Sequence, residues 1–195
     1  MMNYEVSAAV LAGGGSTRMG QDKAELHLGS QTVIERIFTT LQRSFTTVII
    51  NRNTPLSLQS SYVADEFKDH GPLGGLHAVL KAATTRYVYV TACDTPFIDR
   101  DVIESLMAHL SDDVGAVIPI YQGKVQPLAG VYAKSLERVC KQLLENGERK
   151  MQSLFDQCDV TFVDQFNLEE NKLNWHFFNM NTKEEFELAQ RHVKN

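Results

Sequence analysis

The sequence predicts an α/β fold of three layers, a mostly parallel sheet flanked by helices. Two observations carry this. Short uncharged runs that end in polar or glycine-rich positions alternate with segments of helical periodicity, the pattern of βαβ units joined by right-handed crossovers. Within those runs apolar residues follow one another instead of alternating with polar ones, as expected where a strand is covered on both faces.

Each element follows in order. Ser7-Ala8-Ala9-Val10-Leu11-Ala12 reads as the first buried strand and ends in Gly13-Gly14-Gly15. Val33, Ile34, Ile37, Phe38 and Leu41 fall at helical spacing. Thr47-Val48-Ile49-Ile50 is a second strand that stops at Asn51, and a turn-rich stretch (Asn53, Pro55, Ser57, Ser60, Ser61) leads on to Asp65. After Gly71-Pro72-Leu73-Gly74-Gly75, a helix is expected over 76–83, then a third buried strand at Tyr87-Val88-Tyr89-Val90-Thr91-Ala92. That strand runs into Cys93-Asp94-Thr95-Pro96, where proline prevents a simple continuation of the ladder. A helix from about 101 to 110 and a strand at 116–118 come next. The second half is less regular, with strands expected at 127–132 and 160–163 and a helix over 136–144. Thr182 and Glu185 form a capping box ahead of a last helix carrying Phe186, Leu188 and Ala189.

With 195 residues and 43% hydrophobic content, the whole of 1–195 is expected to be one domain with a continuous core. A formal net charge of -5 and the lack of a basic run argue against nucleic acid as a partner. Cys93, Cys140 and Cys158 lie far apart, which suits a reducing compartment and neither a zinc site nor a disulfide framework. No basic leader with a long apolar run opens the chain, and no window approaches a membrane span, so a cytoplasmic, membrane-free protein is expected.

In open α/β sheets, ligands bind beyond the carboxyl ends of the strands. That rule selects Gly13 to Gly20 after the first strand, Asn51 after the second and Asp94 after the third. Consecutive glycines let backbone amides turn toward an anion, and Arg18 and Lys23 add positive charge suited to triphosphate oxygens. A tight strand-to-helix turn with solvated basic residues would read the same way. Two familiar glycine motifs do not fit. Gln21-Asp22-Lys23 follows Gly20 where a Walker loop needs Lys-Ser/Thr, and Arg18 occupies the last glycine of a dinucleotide fingerprint. Asp94 is either a magnesium ligand, which needs only one or two carboxylates beside substrate phosphates, or the cap of a turn before Pro96. Gly71 to Leu76, Gly74 included, would seat a planar base or ribose against bare backbone, or simply form a turn followed by a helix start. Asn179 and Asn181 would orient metal-bound water or satisfy local backbone. His27, His70, His77, His109, His176 and His192 show no ligand spacing. Chemistry on a bound triphosphate would need no histidine base if the attacking group were itself a phosphate, already anionic near neutral pH.

The run Leu11-Ala12-Gly13-Gly14-Gly15-Ser16-Thr17-Arg18-Met19-Gly20-Gln21-Asp22-Lys23-Ala24 closely resembles the nucleotide-binding motif of molybdenum cofactor guanylyltransferases, the MobA family. The resemblance continues in order through Asn51, Asp65, Gly71 to Gly75, Cys93-Asp94-Thr95-Pro96, Gln126-Pro127-Leu128 and Asn179-Met180-Asn181-Thr182. It implies the Rossmann-like fold of nucleotide-diphospho-sugar transferases. It also implies transfer of GMP from GTP to the terminal phosphate of a molybdopterin, with release of pyrophosphate and with Mg2+ as cofactor. Partners implied beyond those substrates are proteins that handle the molybdenum cofactor, or apo-molybdoenzymes. Carried over residue by residue, Leu11, Ala12 and Gly13 would line the GTP site and Lys23 would hold phosphate. Asn51 and Asp65, preferred over Asp69, would contact the nucleoside together with Gly74, and Asp94 would bind magnesium. Arg18, Lys23 and Asp94 form the implied catalytic set. The paired glycines at 13–14 and in 71–75 favour guanine by analogy with the family. Two other readings remain open: a relative using another nucleotide or a sugar-phosphate acceptor, and a catalytically silent nucleotide-binding homologue.

Overall fold

The structure, a computed structural model, describes residues 4–13 and 22–194. Its centre is an eight-stranded sheet. In chain order the strands on its main path are β1 (Val6–Leu11), β4 (Val48–Asn51), β5 (Ser61–Val63), β6 (Tyr87–Ala92), β7 (Ala116–Tyr121), β9 (Ala129–Ala133) and β10 (Val160–Val163). β8 (Lys124–Val125) pairs with β7, and β2 (His27–Leu28) with β3 (Gln31–Thr32) makes a separate hairpin. The helices are α1 (Val33–Gln42), α2 (Gly71–Ala82), α3 (Arg100–Met107), α4 (Glu137–Glu145), α5 (Met151–Phe155), α6 (Glu170–His176) and α7 (Lys183–Lys194).

Across the sheet the order is β10-β7-β9-β6-β1-β4-β5. β1 lies parallel to both β4 and β6, β4 to β5, and β7 to β10. β9 is inserted antiparallel between β6 and β7. The expected mostly parallel sheet is therefore present, with two reversed strands, β9 in its interior and the short β8 against β7, that sequence periodicity does not distinguish from their neighbours. β6 is buried along its whole length and β1 along all but its first residue, which is why neither shows polar alternation.

The chain leaves β1 toward β4 on one side and leaves β6 toward β7 on the other. Adjacent strands whose connections diverge in this way open a crevice at their carboxyl ends. Here it lies between the end of β1 and the end of β6, the glycine loop and Asp94.

Helix starts explain much of the local order. α1 begins in a capping box that periodicity alone does not reveal: Glu35 N donates to Thr32 Oγ1 (3.3 Å) and Thr32 N donates to Glu35 Oε2 (2.8 Å). Its apolar stripe buries Val33, Ile34, Ile37, Phe38 and Leu41 as the spacing requires. The capping box expected at Thr182 and Glu185 is present, at 2.8 and 3.2 Å. Within α7, however, Leu188 is exposed, and Ala189 is the buried position, flanked by half-buried Phe186 and Val193. The turn-rich stretch before Asp65 contains a strand, β5. As the edge strand of the sheet it needs no apolar run, and its polar sequence hid it. The short elements α5, α6, β2, β3 and β8 also escape sequence periodicity, being too brief to show a period.

The largest boundary difference is at α2, which begins at Gly71, well ahead of the expected start at 76. Pro72 sits in its first turn, where a missing N–H costs nothing. Glycine and proline there read as turn chemistry, yet they form the opening of a helix buried from Leu73 through Leu80.

Candidate nucleotide site at the carboxyl edge of the sheet

Strand register brings the candidate residues abreast. Leu11 pairs with Asn51 on one side and Ala92 on the other, and Asn51 pairs with Val63. The next residues therefore emerge side by side: Ala12 and Gly13 from β1, Cys93 and Asp94 from β6, and Asp65 shortly after β5. Backbone bonds hold these ends together, Ala12 N donating to Asn51 O (3.0 Å) and Cys93 N to Leu11 O (3.2 Å).

One group forms around Asn51. Its side chain is almost wholly buried, at 2% exposure, and Nδ2 donates to Asp65 Oδ1 (2.8 Å) and to Val63 O (3.2 Å). Asp65 N in turn donates to Asn53 Oδ1 (3.0 Å). A side chain added at Gly13 would stand 3.6 Å from Asn51 Oδ1 and 3.7 Å from Asp65 Oδ2, so bare backbone of the loop faces this polar pair. From below, Gly75 approaches so closely that a Cβ would fall 2.6 Å from Asn51 Oδ1. Asp69 is exposed and takes a left-handed backbone (φ 61°) in the turn that launches α2, leaving Asp65 as the carboxylate beside Asn51.

Gly74 stands apart from this group. It is buried inside the first turns of α2, and a Cβ there would meet Phe67 O at 2.9 Å. Its glycine identity has a packing cause, and the open surface expected of 71–76 as a base platform is confined to Gly71 and Pro72.

A second group forms around Asp94, which is half-buried. Burial raises its carboxyl above the ordinary carboxylate value, while the nearby Lys23 ammonium pulls in the opposite direction. Lys23 lies in a short 3-10 turn, Lys23–Glu25, capped by Asp22, whose Oδ1 accepts from Ala24 N (3.0 Å). Lys23 Nζ donates to Asn181 Oδ1 (2.7 Å), and Met180 N donates to Asp94 O (2.8 Å). The segment before α7 thus touches both charged residues. Asn179 instead donates to Phe177 O (3.3 Å), a local backbone contact. The neighbouring Cys93 thiol is pushed up by burial to about 12, far from a thiolate at neutral pH.

Leu11 and Ala12 are buried at the end of β1, and Gly13 is exposed. Arg18 and the remaining loop residues 14–21 lie outside the described residues. Arg52 is the residue that sequence reasoning passed over. Its guanidinium is ion-paired with Asp22 and donates through Nη1 to Ala12 O (3.2 Å) and through Nε to Thr54 O (2.7 Å). A lone arginine after a strand looks like a solvated charge. The signal available was strand alternation, which turns Arg52 away from the face used by Asn51.

Among the described residues no cluster of three or more histidine, cysteine, aspartate or glutamate side chains is placed to enclose a metal ion. Asp94 is a single hard oxygen donor at reduced solvation, a donor set that fits a divalent cation completed by phosphate oxygens and water.

A family model described as a MobA-like NTP transferase domain matches residues 8–161. The molybdenum cofactor guanylyltransferase of Desulfosudis oleivorans is 31% identical, over 97% of this chain and 96% of its own length. A protein of Peptoclostridium acidaminophilum named as a probable molybdenum cofactor guanylyltransferase is 35% identical, over 92% of this chain and 86% of its own. Among solved structures, molybdopterin-guanine dinucleotide biosynthesis protein A from Archaeoglobus fulgidus superposes with a TM-score of 0.82 at 24% identity, covering 96% of this chain and 98% of that one. No helix among the described residues is long and apolar enough to cross a membrane.

Proposed function

Because the chain belongs to the MobA-like NTP transferase family, we propose that it transfers GMP from GTP to the terminal phosphate of a molybdopterin, in molybdenum cofactor biosynthesis. The names of its relatives support the reaction. The observation that carries it to this chain is the meeting of two polar groups at one sheet edge: Gly13, Asn51 and Asp65 on one side, Lys23, Asp94 and Asn181 on the other.

The chemistry follows from those positions. An oxygen of the acceptor phosphate attacks the α-phosphorus of GTP, the bond to the bridging oxygen breaks, and pyrophosphate leaves. No proton need be removed from the attacking oxygen. Asn51 and Asp65 hold the nucleoside, and the Asp65 oxygen not bonded to Asn51 is free to accept from the donor edge of guanine. Gly13 admits the nucleotide against bare backbone. Lys23 exchanges its bond with Asn181 for triphosphate oxygens and places fixed positive charge where negative charge develops. Arg18 belongs to the same phosphate-binding segment. Mg2+ would be held by Asp94 and would neutralise charge on the reacting phosphates. The reading carries with it a cytoplasmic setting, residues 1–195 acting as one domain, and contact with proteins that handle the cofactor.

Thermal unfolding of the purified protein with magnesium and each of GTP, ATP, CTP and UTP tests it, since a ligand that binds only the folded chain raises the midpoint. A rise with GTP alone is expected. A larger rise with another triphosphate would replace the substrate, and no rise with any would remove the transferase reading.

A further inference from the structure

Ala12 and Asp22 are the two stems that flank the glycine loop in sequence, and both are gripped by one side chain from the end of a neighbouring strand. Arg52 emerges directly after β4. Its three guanidinium nitrogens address three different pieces of chain: Nη1 the carbonyl of Ala12 (3.2 Å), Nη2 the carboxylate of Asp22, and Nε the carbonyl of Thr54 (2.7 Å). The contact is sheltered, with 15% of the Arg52 side chain and 31% of that of Asp22 exposed. Arg52 holds the Asp22 carboxyl below the ordinary carboxylate value, and Asp22 raises the guanidinium in return. Asp22 is also the cap of the turn that carries Lys23. The chain of contacts therefore runs from β4 through Arg52 and Asp22 to the ammonium expected on the triphosphate.

We propose that Arg52 is a positioning residue that fixes both stems of the nucleotide loop and, through Asp22, presents Lys23 to the triphosphate. Its own guanidinium is directed at protein atoms, so it acts without touching substrate. A lysine whose turn is already capped and tied loses less freedom when it meets the triphosphate, and that saving appears as affinity. Arginine is required because three separate acceptors lie around one planar fork; a lysine ammonium on a flexible stem reaches only part of them. Adjacent positions at one strand end thus divide the labour: Asn51 faces the nucleoside group and Arg52, turned the other way by alternation, faces the loop stems. The inference rests on the nucleotide-binding reading above but not on the identity of the base or the acceptor.

The test compares Arg52→Gln, Arg52→Lys and Asp22→Asn with the parent chain, using whichever nucleoside triphosphate stabilises the parent most. Dissociation constants come from calorimetry, KM and kcat from pyrophosphate release, and folding from the thermal midpoint without nucleotide. Arg52→Gln is expected to weaken triphosphate binding roughly tenfold or more, the scale of a lost charge-assisted contact. KM should rise far more than kcat falls, with partial recovery in Arg52→Lys. Asp22→Asn should reproduce the loss, and the double variant should bind no worse than the weaker single, because both remove one contact. Unchanged affinity in folded Arg52→Gln would overturn the clamp while leaving the function standing. So would a fall in midpoint with KM unchanged, which marks a merely structural arginine. If Arg52→Gln fails to fold, Asp22→Asn decides by the same criteria. A parent chain that binds no triphosphate would overturn the function itself.

Discussion

Asp94 and Lys23 show how the proposed site departs from what stability alone would select. Burial raises the Asp94 carboxyl above its ordinary value of 3.8, so the folded chain binds that proton more tightly than the unfolded one. The group therefore favours folding at low pH, and that contribution is lost as pH rises through the raised value, leaving a cost near neutrality. Asp94→Asn should abolish nucleotidyl transfer and at the same time raise the thermal midpoint of the nucleotide-free protein at neutral pH. Retained turnover would remove Asp94 from the reaction, and a lowered midpoint would show that the attraction of the nearby Lys23 charge outweighs desolvation. Lys23→Ala should weaken GTP binding by about 1.5–3 kcal/mol, the usual scale for a charged hydrogen bond, and calorimetric titration checks it. The sequence marked both positions, a charge at the end of an apolar strand and a charge in a glycine loop, and the fold sets the two near each other. Arg52 was not marked, since an arginine's role depends on which acceptors lie across space, and Ala12 and Asp22 are contiguous with it only in the fold.

At the level of elements, α2 packs its second turn, through Gly75, against Asn51 of the proposed nucleoside group. A Cβ at Gly75 would lie 2.6 Å from Asn51 Oδ1 and 3.3 Å from Leu11 Cδ2, two groups with little room to move. In a free helix Gly→Ala gains about 1 kcal/mol; here overpacking, which costs roughly 1–3 kcal/mol, should win. Gly75→Ala is expected to lower stability in denaturant unfolding and to weaken nucleotide binding by pushing Asn51 off Asp65. A stabilised variant with unchanged affinity would contradict this packing account. The elements themselves were legible in proportion to their length and burial. β1, β6 and α1 declared themselves through unbroken or periodic apolar residues. The start of α2 was concealed because Gly71, Pro72, Gly74 and Gly75 match turn chemistry locally, while Gly74 and Gly75 are there for close packing against Phe67 and Asn51, which no local pattern encodes. β5 was concealed because an edge strand tolerates serine and tyrosine.

Across the molecule, the divergence of connections at β1 and β6 decides where a ligand can sit, and the alternation of strands and helices was enough to foresee that edge. The antiparallel β9 was not foreseeable, because strand direction follows from a connection through β8 and a hairpin too short to show a period. Away from the site, His176 joins α6 to the cap of α3: Asp99 N donates to its Nδ1 (2.9 Å), and burial lowers its pKa from 6.5 to about 3. A histidine kept neutral by the fold contributes stability that is complete above about 6.5 and is lost as pH falls toward about 3. His176→Gln should flatten the fall in unfolding free energy across that window, measured by denaturant titration at successive pH values; an unchanged slope would assign acid sensitivity elsewhere. The central claim is that the sheet edge holding Asn51, Asp65, Lys23 and Asp94 moves GMP onto a pterin phosphate. The most direct measurement supplies the purified chain with magnesium, a molybdopterin cofactor and each nucleoside triphosphate labelled at its α-phosphate. Label from GTP alone, recovered in a pterin–guanine dinucleotide with matching pyrophosphate release, is the predicted result, whereas label entering the pterin product from another triphosphate in preference, or from none while GTP still binds, would contradict it.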